Sequence, residues 1–440
     1  MLHRTDTAAQ SSLLNPLLVP LHFSVLILSL WVPPFPGRKE LSVALILATY
    51  IPTLLAPVSD DPAIAFGVAS LWGFTLRLLT IHLFSYPDPE QAYYRTGGTW
   101  KKGGKGGDGQ GGANREDVRA YGMGLLKLQW LLSLVMSPRG LGWNCQGQMP
   151  PPLPLLPTHT SGRRAYVKYA LKRLLLLYLA LDLCRTYDFV DPIRFMITDQ
   201  DPQFWTLADP YNLDASTVIN AAVHGIASRC FIDMQYMLIS ILFIFIGGQD
   251  PSEWRPFFGS LTDAYRLSYF WGRVWHQALR GIFIPWGDAI CKVLRVKHKV
   301  VVLLVRVVIG SILSALGHAS AVYSGTRGRH WWDTFWFFSI QAVGVIFEIA
   351  VCESYGRLTG ENLKRIKKTA EKVNGKLLRD SSGLSWGKAL GYIWVAVWLL
   401  YTSQWMMADV QRVGLAQVNP VPWSVVRWVL KWPQTAQEVL

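Results

Sequence analysis

His318 lies in the apolar run Ser311-Ile-Leu-Ser-Ala-Leu-Gly-His-Ala-Ser320. An ionisable side chain in such a setting is costly to bury, so its presence needs a reason. Burial away from charge favours the neutral imidazole, and neutral imidazole is the usual general base near pH 7. Its neighbours Ser314, Ala315, Gly317, Ala319 and Ser320 are small. Small residues let helices approach closely and leave room for a tunnel. A packing histidine bonded across helices accounts for the same context. The second group is Pro256-Phe-Phe-Gly-Ser260 followed by Phe270-Trp-Gly-Arg-Val-Trp-His-Gln277. Trp271, Arg273, Trp275 and His276 crowd a short stretch that ends at Gln277. Aromatic rings beside an arginine can stack a planar group and hold a phosphate. An aromatic belt at a membrane surface would have the same composition. The third group is Ser137-Pro-Arg-Gly-Leu-Gly-Trp-Asn144. Its proline and glycines demand a turn, and Asn144 can donate and accept hydrogen bonds. A structural turn anchored by Trp143 is the plainer reading.

Further ionisable residues sit inside apolar runs: His82, Asp182, His224, Asp233, Arg306 and Glu348. Four of them, His224, Asp233, Arg306 and Glu348, would suit the proton or ion relay of a secondary transporter. The apolar runs show no paired halves, and the densest motif lies outside them, which disfavours a transporter. The five cysteines, at 145, 184, 230, 291 and 352, are scattered without a CxxC. They indicate neither a disulfide framework nor a structural zinc site, and no metal is implied.

These residues need elements to position them, and composition identifies the kind. Of 440 residues 51% are hydrophobic and 16% charged. Mean hydropathy is +0.22. Soluble domains carry about 25% charged residues. Runs long enough to span a bilayer are Leu13–Val32, Leu41–Val58, Ile64–Phe84, Tyr166–Cys184, Val218–Gly247, Val300–Tyr323, Trp332–Val351 and Ala389–Met407. The expected fold is an all-α polytopic membrane protein with about eight transmembrane helices, within about seven to ten, joined by interfacial helices. Three charges interrupt Val218–Gly247, which suggests a tilted or broken helix. Leu125–Met136 and Val421–Leu430 are too short to span and read as interfacial or re-entrant. The first run continues into too many others to be a cleaved signal peptide.

The net charge of +14 is unevenly placed. Residues 95–127 hold seven basic and three acidic side chains, including the Gly-rich run Gly97–Gly112. Residues 249–299 hold eight basic side chains, and residues 357–379 hold eight against two acidic. Residues 186–214 carry six aspartates and one arginine. Eight spans put the basic loops on one side, expected to be cytosolic, with the aspartate-rich loop opposite. Glu361–Arg379 reads as an amphipathic helix with a basic face, lying on anionic lipid or binding an anionic substrate directly. The charge therefore does not point to nucleic acid.

The pieces PRGLGWN, PFFGSL, LSYFWGRVWHQ and SALGHAS, in this order, resemble the wax-synthase-like branch of the membrane-bound O-acyltransferases. They look closest to fungal members that acetylate terpenoid and meroterpenoid secondary metabolites. The resemblance implies a multi-helix fold around a tunnel, with residues 1–85 as N-terminal transmembrane helices, 86–165 as a basic cytosolic loop with an interfacial helix, and 166–440 as the acyltransferase core. It implies acetyl-CoA as co-substrate with no bound cofactor, an apolar alcohol as acceptor, and residence in the endoplasmic reticulum membrane. Oligomeric assembly is compatible with it. His318 matches the family's catalytic histidine. His276 occupies a position that is Asn or Asp in many relatives, which leaves orientation of the thioester or of CoA open beside chemistry. Trp271, Arg273, Trp275, Gln277 and Asn144 are the expected substrate- and acyl-CoA-binding residues. A long-chain wax or steryl ester synthase is the alternative within the same class.

Overall fold

The computed structural model describes residues 15–56, 58–95, 118–137, 139–146, 162–190, 215–245, 249, 251–358, 386–415 and 421–432. The Gly-rich run, the residues of Pro150–Pro157 and the Glu361–Arg379 segment lie outside them. The described residues are helical and contain no strand, only one isolated bridge between Arg95 and Trp143.

The main helices are α1 (Asn15–Trp31), α2 (Arg38–Leu55), α3 (Pro62–Ala69), α4 (Trp72–Phe84), α5 (Leu125–Val135), α6 (Arg163–Val190), α7 (Ala215–Phe245), α8 (Arg280–Val293), α9 (Lys299–Gly325), α10 (Trp332–Leu358), α11 (Trp386–Arg412) and α12 (Val425–Val429). The described residues of each of the eight apolar runs are mostly helical. Four stretches are long and apolar enough to cross a membrane by length and composition: Pro62–Phe84, Val218–Phe245, Lys299–Gly325 and Trp332–Ser354. The chain is a multi-pass membrane protein. On α7, α9 and α10, Leu238, Leu242, Ile312, Leu316, Val343 and Phe347 face outward. Such stripes would be a liability in water and suit a lipid surround.

Two expectations about these runs change. The first concerns the broken-helix alternative for Val218–Gly247: over Ala215–Phe245, α7 is one continuous helix despite its internal charges. Asp233 is paired with Arg173 of α6 at 2.5 Å, so that charge is neutralised within the helix pair. The run Ile64–Phe84, by contrast, is two helices. Asp61 caps α3 by accepting from the backbone N–H groups of Ala63 and Ile64. The chain then turns at Ser70–Leu71 before α4 begins.

Helix α9 is the hub. It packs against α2, α3, α4, α8 and α10, while α6 pairs with α7 and α11 leans on α10 and α7. Close approach to α4 depends on Gly317. A Cβ there would lie 2.3–2.5 Å from the Trp72 indole, well inside contact distance.

A buried ionic group ties the N-terminal helices together. Arg38 forms a bidentate pair with Glu90, both bonds 2.7 Å, and Lys127 of α5 reaches the same carboxylate at 3.0 Å. Arg38 and Lys127 also donate to the carbonyl of Val32 just beyond α1. Burial pushes the Glu90 carboxyl upward, and Arg38 and Lys127 more than reverse this, holding it below its usual range. Helix α5 is therefore packed into the N-terminal core through Trp130, Leu131 and Leu134. At the other end Asp182 of α6 accepts from the N–H of Val426 and fastens α12.

Candidate active site

The segment between α7 and α8 does not lie on the outer surface as a simple loop reading suggests. It folds inward along α10. Glu348 of α10 accepts from the N–H of Leu267 at 2.5 Å and of Ser268 at 3.3 Å, and from the Ser268 hydroxyl at 2.6 Å. That cap starts a short helical turn at Leu267–Tyr269, which widens into a π-helical turn over Phe270–Val274. The Trp275 N–H donates to the carbonyl of Phe270 at 2.7 Å. π-Helical turns of this kind are often found at functional sites. Further along, Trp271 Nε1–H donates to Gln341 Oε1 at 3.1 Å. Gln341 also accepts from Trp398 and donates to Thr402, so α10 and α11 both fix Trp271. Gln277 Nε2 donates to the carbonyls of Trp275 and Trp271, which closes the turn on itself.

The turn forms one wall of a cavity of about 350 Å³. Trp271, Trp275, His276 and Gln277 line it. The wall from α9 is a single face: Leu303, Arg306, Gly310, Ser311, Ser314 and His318. At 1.5 Å per residue this stripe is about 22 Å long. Arg280 and Phe283 of α8 and Phe338, Gln341 and Val345 of α10 complete the enclosure. His276 and His318 thus share one cavity although they belong to different segments. A helix count alone puts His318 across the membrane from the basic loop. The inward fold of residues 267–277 removes that separation.

The two histidines are held by packing. The His318 ring stacks on Phe338 at 4.2 Å and 9°, with Trp72 edge-on at 5.3 Å. The His276 ring stacks on Phe257 at 5.6 Å and 11°. Burial pushes the His276 imidazole down to about 4, so it is neutral at physiological pH. Its Nδ1 is buried without a partner. A buried N–H left unpaired costs more than an unpaired acceptor lone pair. The proton therefore belongs on the other nitrogen, and the ring can act as a hydrogen-bond donor.

Two expected binding residues are not among those lining the cavity. Arg273 is exposed, with its guanidinium over the Tyr269 ring at 4.1 Å. The Asn144 side chain donates to the carbonyl of Ala92 and accepts from the N–H of Tyr94, which fits the plainer reading of a structural turn. Gly140 and Gly142 of that turn both have positive φ. The cations that do line the cavity are Arg280 and Arg306. Arg306 is paired with Asp288 at 2.6 Å, both half-exposed. Arg280 has no carboxylate partner among the described residues. Burial, with Arg273 and Arg306 nearby, pulls its guanidinium below its usual range. An unpaired cation beside a paired one in the same cavity makes a place for an anion. The amphipathic pattern of α8 was the signal that could have found Arg280. Glu348 and Gln341 gave none beyond being polar within an apolar run. The relay reading of the buried charges loses its support here. Asp233, Arg306 and Glu348 are held by three separate sets of partners.

Residues 254–340 match the family model described as "Membrane bound O-acyl transferase family". That stretch contains the π-helical turn, both cavity histidines, α8 and α9. The chain is 26% identical over 409 residues to acetyltransferase sirH of Emericella nidulans, covering 90% of this chain and 84% of that one. It is 25% identical over 418 residues to acetyltransferase ple2 of Rhodocybe pseudopiperita, covering 92% and 93%. Acetyltransferase TRI7 of Fusarium sporotrichioides is 27% identical over 243 residues, covering 54% and 50%.

Proposed function

Starting from a chain that is an acyltransferase and resembles fungal membrane-bound O-acetyltransferases, we propose that it transfers acetyl from acetyl-CoA to a hydroxyl of an apolar secondary metabolite of the terpenoid or meroterpenoid kind. The observation that carries this reading is the single cavity holding His276, His318, Arg280 and Arg306. A long narrow arm ending in a thioester, with phosphates at its other end, has the matching shape and charge. Arg280 and Arg306 take the phosphates. The thioester reaches inward along the α9 stripe toward His318.

Four residues then divide the work. His318 Nε2 or Nδ1 accepts the acceptor's hydroxyl proton as its oxygen attacks the thioester carbon. His276 donates from its protonated nitrogen to the developing oxyanion. The C–S bond breaks, and the thiolate leaves as free thiol with the proton from His318. Trp271 and Trp275 form the aromatic wall that keeps water from the thioester. No nucleophilic side chain is needed for direct transfer. The remaining helices α1, α2, α6 and α11 join the four apolar ones in eight crossings, with the basic loops facing the cytosol and the protein in the endoplasmic reticulum.

The test is a chain-length series. Microsomes containing the protein are given acyl-CoAs from acetyl to palmitoyl with a panel of polycyclic alcohols, and products are read by mass spectrometry. The proposal expects acetyl esters and a profile that falls as the acyl chain lengthens. A profile peaking at palmitoyl would make it a wax or steryl ester synthase instead.

A further inference from the structure

We infer that Arg139 is a positioning residue for His276, acting through Tyr236 and Phe257. The inference rests on the reading that His276 serves the transfer reaction. A functional imidazole is usually oriented by a hydrogen bond on the nitrogen turned away from the substrate. His276 has no such bond, because its Nδ1 is buried without a partner. Its plane is set by rings alone. Phe257 lies parallel to it, Phe258 meets it edge-on at 6.0 Å and 89°, and Trp275 is tilted against it at 5.8 Å. Phe257 in turn stacks on Tyr236 at 4.4 Å and 21°.

Arg139 holds this stack from outside the cavity. Its Nη2 donates to the Tyr236 hydroxyl at 2.5 Å and to the carbonyl of Arg255 at 2.7 Å, and its Nη1 donates to the carbonyl of Pro256 at 2.7 Å. The guanidinium also lies over the Tyr236 and Phe257 rings, at 5.4 and 5.7 Å. The side chain is buried and pairs with no carboxylate among the described residues. Burying an arginine without a counter-ion is costly. Here every hydrogen bond given above goes to the Tyr236 ring or to the backbone that carries Phe257. The guanidinium makes these bonds from two nitrogens held in a fixed plane, a geometry that the single nitrogen of a lysine ammonium does not reproduce. The far side of the loop is closed as well. The Gly259 N–H donates to the carbonyl of Val274 at 2.9 Å, and a Cβ on Gly259 would lie 2.2 Å from the carbonyl oxygen of Arg273. The loop thus lies directly on the π-helical turn, and the motifs PRGLGWN, PFFG and WGRVWH form one support.

Loosening the stack lets the imidazole tilt while the cavity lining stays in place. Turnover should fall and substrate affinity should hold. The experiment compares purified wild type, Arg139→Lys, Phe257→Leu, Tyr236→Phe, His276→Ala and the double variant Arg139→Lys/His276→Ala, with acetyl-CoA and an accepted polycyclic alcohol. Arg139→Lys and Phe257→Leu should each lower kcat about tenfold or more, with KM for acetyl-CoA unchanged within about twofold. Tyr236→Phe keeps the ring and should lose less. In the His276→Ala background, Arg139→Lys should lower kcat by less than about a further twofold. A full additional loss there, or a wild-type kcat for Arg139→Lys, would overturn the positioning role alone. His276→Ala at wild-type rate would overturn the role of His276 and with it this inference. Should Arg139→Lys fail to fold, Phe257→Leu and its double variant with His276→Ala carry the same comparison.

Discussion

Substituting Gly317 by alanine should disable His318 without touching it. The new Cβ would lie 2.3 Å from Trp72 Cδ2, 2.4 Å from Cε2 and 2.5 Å from Cε3. Ordinary carbon contacts begin near 3.5 Å, so the indole has to withdraw by about 1.2 Å. Overpacking of this kind costs about 1–3 kcal/mol of stability. The Trp72 ring stands edge-on to His318, which is pressed against Phe338 on a stacked face. A shift of about 1 Å at a reacting group can cost about 100-fold in rate. Gly317→Ala should therefore lower kcat by about one to two orders of magnitude while lowering Tm by a few degrees. Steady-state acetyl transfer by the purified protein, with Tm by intrinsic fluorescence, measures both. Gly225→Ala is the control, since its Cβ meets nothing within 4 Å, and it should leave kcat unchanged. Adding Trp72→Phe to Gly317→Ala should restore part of the rate by freeing the space. Unchanged kcat and Tm in Gly317→Ala would refute the claim that Trp72 packing sets His318.

Arg280→Ala should raise KM for acetyl-CoA about tenfold or more, the loss of one charge-assisted contact, whereas exposed Arg273→Ala should change it by less than about threefold; initial-rate kinetics separates the two. Glu90→Gln leaves the buried cations Arg38 and Lys127 without their counter-ion, and should cost about 3–5 kcal/mol, seen as loss of the monodisperse protein on gel filtration. His276 has its pKa lowered to about 4 in the fold, so the unfolded chain binds a proton first as pH falls. Its contribution is complete above about 6.5 and is lost as pH falls toward 4. Compared with His276→Gln, the wild type should lose more Tm between those limits.

Much of this was legible in the sequence because burial and period are written locally. The apolar runs fall on helices, although the break between α3 and α4 inside Ile64–Phe84 was not apparent from hydropathy alone. His318 stands out in the sequence as an ionisable side chain among small residues. What stayed hidden depends on contacts between distant segments. The cap of Leu267 and Ser268 by Glu348 draws the tryptophan motif inward, and nothing near residue 267 signals a partner in α10. The same holds for Arg139 and the loop before Phe257. Arg273 looked suited to a phosphate by composition, yet its guanidinium lies over the Tyr269 ring and is not among the cavity-lining groups, whereas Arg280 is. The Asn144 amide completes a turn against Ala92 and Tyr94, the plainer of the two readings its motif offered.

Whether His318 is the base for acetyl transfer within the shared cavity can be read directly. The direct measurement is single-turnover transfer from radiolabelled acetyl-CoA by purified His318→Ala, alongside equilibrium binding of acetyl-CoA to the same sample. With His318 as the base, the rate should be lower by about 100- to 10,000-fold with binding retained. Transfer within about twofold of wild type by a folded His318→Ala protein would contradict it.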